Sequence, residues 1–117
     1  KMNKADEEFM NKVICKIEEH LSDETFNVEA MADLFCMSRS SLLRKIKTLF
    51  NLSPIELIRT IRLKKAAQLI RDGNHSIADV GFMVGITSAA YFSKQFGKQF
   101  GITPKDFEKQ CKGNIKN

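Results

Sequence analysis

The feature that most constrains the fold of this chain is an internal repeat at a spacing of 50 positions. The shift places hydroxyl on hydroxyl, apolar on apolar, cation on cation and proline on proline. The matched pairs are Ser38 with Ser88, Leu42 with Phe92, Arg44 with Lys94, Ile46 with Phe96, Phe50 with Phe100, and Pro54 with Pro104. Upstream of these pairs the spacing is 49, so the second copy carries one extra residue near Thr87. A duplicated supersecondary unit is therefore predicted.

Each copy of the repeat has the pattern of a short helix, a tight turn and a longer helix. A residue that can cap a helix precedes each apolar pattern. These residues are Asn27, Ser38, Ser76 and Ser88, with Asp79 completing a capping box after Ser76. The order is typical of a helix-turn-helix, in which the first helix braces the second. The small residues Ala32 and Gly81 occupy equivalent places in the two brace helices, where we expect close helix packing; an ordinary core alanine and glycine are the alternative.

Three more helices are predicted outside the repeat. A first helix covers residues 6–21, where apolar residues recur at every fourth position. Ser53-Pro54 opens a long helix, which Asp72-Gly73-Asn74 stops. Thr103-Pro104 starts a short seventh helix, and the tail after Cys111 is expected to fray.

The predicted fold class is all-α, with seven helices and two helix-turn-helix subdomains (residues 6–53 and 73–111) joined by a long linker helix (residues 54–72). From Pro54 to Arg71 this helix has 18 residues, and at 1.5 Å per residue it spans about 27 Å. The second helix of each helix-turn-helix, if held by such a linker, could enter one of two successive major grooves of DNA, which are about 34 Å apart. Cations that could add phosphate contacts from the linker are Arg59, Arg62, Lys64, Lys65 and Arg71.

A rotation of about 100° per residue divides each predicted helix into an inward and an outward face. The inward residues are Val28, Met31, Ala32, Leu34 and Phe35 in the second helix, Leu42, Ile46, Leu49 and Phe50 in the third, and Phe92, Phe96 and Phe100 in the sixth. Cys36, between the second and third helices, is interpreted as a small buried apolar residue.

The outward faces of the third and sixth helices suit a major groove, which is about 12 Å wide and admits one helix. Arg44 can donate two parallel hydrogen bonds to guanine O6 and N7, and Lys94 can reach the same atoms with less geometric precision. Leu43 suits a thymine methyl group, and three small residues allow close approach of the backbone: Ser40, Ala90 and Ser93. Phosphate contacts are predicted at Arg39, Lys45, Lys47, Tyr91 and Lys98. A solvated surface charge is the alternative for each single cation.

Charge is distributed unevenly along the chain. Residues 1–36 hold 4 Lys and Arg against 9 Asp and Glu, a net charge of −5. Residues 37–117 hold the remaining 15 Lys and Arg against 5 Asp and Glu, a net charge of +10. The basic part is the one expected to meet a polyanion, although many helical proteins also carry solvated lysines.

From about residue 8 to residue 110 the sequence resembles the DNA-binding domain of the AraC/XylS family of bacterial transcription regulators. The most specific stretch is Ser88 to Phe107, with Tyr91-Phe-Ser-Lys-Gln-Phe96, Phe100-Gly and Thr103-Pro-Lys-Asp-Phe107. Ile86 and Gly81 depart from the family's usual Phe and Ala. By position, the resemblance implies base contacts at Ser40, Leu43, Arg44, Ala89, Ala90, Ser93 and Lys94.

The first helix and first repeat are also similar to the DNA-binding end of hybrid two-component regulators, in which a receiver domain precedes it. The partners that the resemblance implies are double-stranded DNA, an upstream sensor or receiver domain, and RNA polymerase. No small-molecule substrate is expected in this domain. Cys15, Cys36 and Cys111 are odd in number and widely spaced, so the expected compartment of this domain is the reducing cytoplasm. The same compartment is expected for the domain if the full-length protein is anchored in a membrane.

Two other classes of function are alternatives. An enzyme is disfavoured because His20 and His75 lie far from any cysteine in a metal-ligand spacing and no glycine-rich phosphate loop is present; no catalytic residue, cofactor or metal is predicted. A helical protein-interaction module is the second alternative, in which the acidic first helix docks a receiver or another regulatory partner.

Overall fold

A computed structural model describes residues 3–116 of the chain, with side chains through Gly113. These residues form seven α-helices, and no strand occurs among them. The helices are α1 (Lys4–Glu19), α2 (Val28–Leu34), α3 (Arg39–Phe50), α4 (Pro54–Asp72), α5 (Ile77–Met83), α6 (Ala89–Phe100) and α7 (Pro104–Lys116). The predicted all-α architecture of two helix-turn-helix motifs and a long intervening helix is confirmed. Among residues 3–116, none of the helices combines the length and the apolar character that crossing a bilayer requires.

The helices start where the sequence places hydrogen-bonding caps. Asn27 Oδ1 accepts from the backbone N–H of Ala30 at 2.9 Å, and the Oγ atoms of Ser38, Ser76 and Ser88 accept from the N–H three residues on at 3.2, 3.1 and 3.2 Å. Each bond satisfies a donor that the helix itself leaves unpaired. The predicted caps therefore fix the register of both copies of the repeat.

The start of α4 has a complete capping box. Ser53 Oγ accepts from the backbone N–H of Glu56 at 3.2 Å, and Glu56 Oε1 accepts from the N–H of Ser53 at 2.8 Å. The bond from the Ser53 backbone lowers the pKa of Glu56 below its ordinary value. At the other end, Gly73 stops the helix in the left-handed conformation, with φ of 75°.

The chain folds as two compact units. The first comprises the chain up to Leu21 together with Thr25–Ile61, and the second comprises Ser22–Glu24 together with the chain from Arg62 onward. The residues of α4 are therefore divided between the units. Each unit contains one copy of the repeat.

Each unit has its own apolar core. In the first unit the buried residues are Val13, Ile17, Phe26, Val28, Met31, Ala32, Leu42, Ile46, Leu57 and Ile58. In the second they are Leu63, Ala66, Ala67, Ile70, Val80, Val84, Ile86, Phe92 and Phe96. The second core is built around the fully buried Phe96, whose ring centroid lies 5.8 Å from Phe92, 4.6 Å from Phe100 and 5.7 Å from Phe107. The two cores hold α3 and α6 by one face each.

Two residues predicted to face inward are exposed. Leu34 retains 46% of its surface and Phe100 retains 37%. Leu34 lies roughly 110° around α2 from the middle of the buried face at 100° per residue. A spacing of four drifts about 40° per step, so Phe100 has turned to the edge of the α6 face that Phe92 and Phe96 occupy.

The bounds of the first and last helices also differ from the prediction. Asn3 Oδ1 accepts from the backbone N–H of Asp6 at 2.8 Å, so Asn3 caps α1 and the helix begins at Lys4 rather than Asp6. The helix ends at Glu19, before Leu21. Beyond Cys111, where a frayed tail was predicted, α7 continues to Lys116 because no proline interrupts it.

Gly81 allows a close approach of the turn that follows α5. A Cβ at this position would lie 2.8 Å from the carbonyl oxygen of Ile86, whose own N–H donates to the Gly81 carbonyl at 2.8 Å. The close approach predicted here is therefore with the backbone of the turn rather than with a side chain of α6. The equivalent bond in the first copy joins Met37 N–H to the Ala32 carbonyl at 2.9 Å.

The prediction that Cys36 is buried is wrong. Cys36 is exposed and has a φ of 53°, and its equivalent in the second copy is Gly85, with a φ of 75°. The turn between the helices needs a left-handed residue, which a cysteine adopts only at a cost.

Cys36→Gly is expected to raise the free energy of unfolding by about 0.5–1 kcal/mol, because the relief of left-handed strain exceeds the added entropy of the unfolded chain. Urea denaturation followed by circular dichroism measures the change. Cys36→Ala is the control, since alanine keeps the Cβ and is expected to give little or no gain. A glycine variant no more stable than the alanine variant would contradict this account of the turn.

Candidate nucleic-acid interface

The outward face of α3 is accessible along its length. Leu42 and Ile46 are fully buried, which directs the neighbouring positions to solvent. The predicted contact residues Arg39, Ser40, Arg44, Lys45 and Lys47 are exposed, and Leu43 is half-buried. The first unit therefore presents a helix surface with four cations.

The outward face of α6 is accessible in the same way. Phe92 and Phe96 anchor the helix. The predicted contact residues Ala89, Ala90, Tyr91, Ser93, Lys94 and Lys98 are all exposed. This surface is smaller and less polar than that of α3, with two cations.

The first turns of α3 and α6 share an electrostatic property that sequence reasoning missed. Neither first turn contains an acidic residue, whereas each of the other five helices has at least one there. Carboxylates stabilise the positive N-terminal end of a helix, so their absence leaves that end available to an external anion. The N-terminal ends of α3 and α6, the second helix of each repeat copy, therefore repel a polyanion less than those of the other helices. The signal was present in the sequence, because the caps already located the first turns.

Arg44 lies between two open grooves on the first unit. A groove of about 440 Å³ is lined by Arg44, Lys45, Thr48, Leu49, Met37, Ser41 and Asp6. A second groove of about 410 Å³ is lined by Arg44, Lys47, Thr48, Leu43 and Ser53. Thr48, which was not among the predicted contacts, borders both. Within residues 3–113, no hydrogen bond or ion pair holds Arg44 or Lys94, so both side chains can reorient toward a ligand.

Two of the predicted phosphate contacts already have partners within the protein. Arg39 donates from Nη1 to Glu29 Oε1, which joins the start of α3 to α2. Lys45 Nζ lies 4.3 Å from the centre of the Phe9 ring, a cation–π contact with α1. Both cations remain exposed.

Arg62 does not belong to a DNA-facing surface, contrary to the prediction for the linker helix. It is 6% exposed, and its guanidinium donates to the carbonyls of Val84 at 3.0 Å, Gly85 at 2.9 Å and Asp23 at 2.8 Å. Burial lowers the pKa of Arg62, and the charges of Asp23 and Glu24 oppose that shift. The periodicity could have shown this, because Arg62 follows the buried Ile58 by four residues. The other linker cations, Arg59, Lys64, Lys65 and Arg71, keep part or all of their exposure.

The histidines and cysteines are not arranged as a metal or catalytic site. His20 lies against the Phe26 ring at 4.6 Å, with Nδ1 2.8 Å from the carbonyl oxygen of Lys16, and His75 is exposed. Among the described residues, no group of three or more His, Cys, Asp or Glu side chains could hold a metal ion. The cations Arg44 and Lys94 and the hydroxyl groups of Ser40 and Ser93 are accessible.

Fold and surface together define a protein with two helix-turn-helix motifs. Residues 31–110 match the family model described as "Helix-turn-helix domain". The chain belongs to this family, in its AraC type. The resemblance noted in the sequence is thereby confirmed.

Two curated relatives differ greatly in size from this chain. Histidine kinase P4 of Formosa agariphila is 36% identical over 107 residues, which is 92% of this chain and 8% of that protein. The HTH-type transcriptional activator RhaS of Escherichia coli is 32% identical over 97 residues, which is 83% of this chain and 34% of that protein. The chain therefore spans about a third or less of the relatives that it matches.

Solved structures share the fold. The C-terminal domain of AraT, a response regulator from Geobacillus stearothermophilus, has a TM-score of 0.79 and 29% identity, covering 86% of this chain and 83% of that one. The DNA-binding domain of AdpA, a global transcriptional factor solved in complex with a target DNA, has a TM-score of 0.82 and 25% identity, covering 89% and 93%.

Proposed function

We propose that this chain is the sequence-specific, double-stranded DNA-binding domain of a transcription regulator, and that α3 and α6 are its recognition helices. The observation that carries the proposal is the equivalence of two helices. Each has an exposed cation at the same repeat position, Arg44 or Lys94, and neither cation has an ion-pair partner within residues 3–113. A surface cation at one such place is common. The same place occupied in both copies, next to first turns without carboxylates, favours a polyanion as the ligand.

The relatives support the same function. AdpA binds a target DNA through a domain of this fold, and RhaS is a transcriptional activator. Both are matched over most of this chain. DNA binding for regulation is therefore the function that fold, surface and relatives favour together, and it has no enzymatic step.

We assign the groove contacts residue by residue. In α3, Arg44 contacts a base edge, Leu43 a thymine methyl group, and Ser40 allows close approach. In α6 the base contacts are assigned to Ala89, Ala90, Ser93 and Lys94. Because this second set has few hydrogen-bonding groups, it contributes more to affinity than to sequence preference. The phosphate contacts are assigned to Arg39, Lys45, Lys47, Tyr91 and Lys98.

The length of α4 supports insertion into successive grooves. It is continuous over 19 residues, a length of about 28 Å, which is close to the repeat of a DNA major groove on one face. We propose that it serves as the linker between the two recognition helices.

The full-length protein is proposed to be a cytoplasmic or cytoplasm-facing regulator with a sensor or receiver domain. A histidine kinase and a response regulator are among the proteins with a matching segment or domain. The acidic α1 could dock such a domain, and RNA polymerase is a further partner to test.

Arg44→Ala is expected to relax the preference at one base pair by about 1–3 kcal/mol, since two hydrogen bonds to guanine are lost. Competition binding with duplexes that vary each position of the preferred site measures it. Lys47→Ala is the matched control on the same helix, and it is expected to weaken all duplexes alike. If Arg44→Ala also weakened every sequence equally, Arg44 would be reassigned to the DNA backbone.

Selection of bound sites from random duplexes by this domain tests the proposal as a whole. Two half-motifs about one helical turn apart would support double insertion. A single short motif would restrict base readout to one helix. The absence of any preferred site would favour the protein-interaction module instead.

A further inference from the structure

The ion pair between Glu29 and Arg39 occurs in only one copy of the repeat. Glu29 lies in the first turn of α2, and Arg39 is the first residue of α3. At the equivalent positions of the second copy, the sequence has Ala78 and Ala89. The pair is therefore no requirement of the helix-turn-helix fold, which forms in the second unit without it.

Stability does not account for the pair either. Both side chains keep more than half of their surface, 59% for Arg39 and 58% for Glu29, and ion pairs this exposed contribute little to folding. A cation at the first position of a helix also faces the positive end of the helix dipole. Arg39 thus stands where a cation is unfavourable for α3 but close to an approaching phosphate.

The chemistry of the pair resembles that of a phosphate contact. A carboxylate and a phosphate both accept hydrogen bonds from a guanidinium, and they compete for the same donors. As long as Glu29 holds Arg39, the charge of Arg39 is neutralised toward DNA. Non-specific binding depends almost wholly on such charges, whereas specific binding also has base contacts that bring α3 close enough for exchange.

We propose that Glu29 competes with DNA phosphates for Arg39: it withholds Arg39 from the backbone of non-specific DNA, and Arg39 transfers from the carboxylate to a phosphate only where base contacts seat α3 in a preferred site. This inference rests on the proposed DNA-binding function. Glu29 acts through Arg39 and touches no base. Its presence lowers the affinity for both kinds of DNA, because non-specific binding lacks the Arg39–phosphate contact and binding to the preferred site must break the ion pair.

The salt dependence of binding tests this, with a random-sequence duplex and the selected site as probes. Glu29→Gln frees Arg39, so it is expected to steepen the slope of log affinity against log salt by about 0.9 on random duplex and to raise that affinity about three- to tenfold near 0.1 M salt. On the selected site the slope is expected to stay unchanged, because Arg39 already contacts phosphate there. The affinity for that site is expected to rise at least as much as on random duplex, because the ion pair no longer has to be broken.

Two matched variants separate this mechanism from a general charge effect. Asp33→Asn removes the same charge from an exposed position of the same helix, and it is expected to leave the slope unchanged. In an Arg39→Ala background, Glu29→Gln is expected to leave the slope unchanged as well. Far-UV circular dichroism checks that each variant is folded.

Distinct outcomes overturn distinct claims. An unchanged slope for Glu29→Gln on random duplex, a slope change that persists without Arg39, or an equal slope change on both duplexes would each overturn the role of Glu29 while leaving DNA binding intact. Absence of binding to any duplex by the unaltered chain would overturn the proposed function together with this inference.

Discussion

Arg62→Met is expected to lower the free energy of unfolding by about 3–5 kcal/mol, a large share of the stability of a domain of this size. Methionine fills a similar length but donates no hydrogen bond. The carbonyls of Val84, Gly85 and Asp23 would lose their charged donor at 3.0, 2.9 and 2.8 Å. Val84 and Gly85 are buried, so each of these two carbonyls adds a desolvation penalty when its donor is removed.

The reason for the large effect is the position of these carbonyls. Val84 and Gly85 end α5 and form its turn into α6, and Gly85 has a positive φ that directs its carbonyl. The Ser22–Glu24 segment is part of the same compact unit as Arg62. One guanidinium therefore satisfies acceptors from two segments that lie 22 to 39 residues away in sequence.

Guanidinium denaturation of two further variants tests the assignment. Arg62→Lys keeps the charge but has no planar fork, so an intermediate loss is expected. Arg59→Met alters a partly exposed arginine of the same helix and is expected to change stability by less than about 1 kcal/mol. If Arg62→Met unfolded at the same denaturant concentration as Arg59→Met, the buried network would not carry the stability assigned to it.

Local interactions explain why much of the fold could be predicted. Ser38 and Ser88 cap their helices by bonding to an N–H three residues on, and Gly73 ends α4 through its own backbone freedom. Such signals act within one turn and need no knowledge of the rest of the chain. Because the chain contains the repeat twice, the capping signals occur in both copies.

The failures of prediction involve tertiary position. The helical period indicates that Arg62 faces inward, but it does not show which distant carbonyls accept from the guanidinium. The exposure of Cys36 depends on the left-handed turn, which becomes visible only when Cys36 is aligned with Gly85. Leu34 and Phe100 are apolar residues near helix ends. A shift of one or two positions there decides whether a side chain faces the core or the solvent.

In the candidate site too, local features could be predicted from the sequence and tertiary contacts could not. The exposed faces of α3 and α6 follow from the helical period, so their accessibility was predicted correctly. The partners of Arg39 and Lys45 were not, because Glu29 and Phe9 lie 10 and 36 positions away.

The affinity for duplex DNA is expected to fall on the order of 10²-fold between about 50 and 200 mM salt, because roughly four phosphate contacts each release counterions. The four cations assigned to phosphates are Arg39, Lys45, Lys47 and Lys98. Fluorescence anisotropy titrations over a salt series give the slope directly. Where Glu29 withholds Arg39, on random duplex, the slope is expected to be about one contact shallower than on the preferred site.

Single substitutions connect that slope to the surface. Lys47→Ala is expected to reduce it by about 0.9, whereas Lys109→Ala, an exposed lysine of α7 outside both faces, is expected to leave it unchanged. A slope near zero would show that the net charge of +10 on residues 37–117 is solvated charge without a polyanion partner. If both variants reduced the slope equally, DNA would be attracted to the basic part of the chain as a whole. That result would contradict the assignment of α3 as the surface that contacts the DNA backbone.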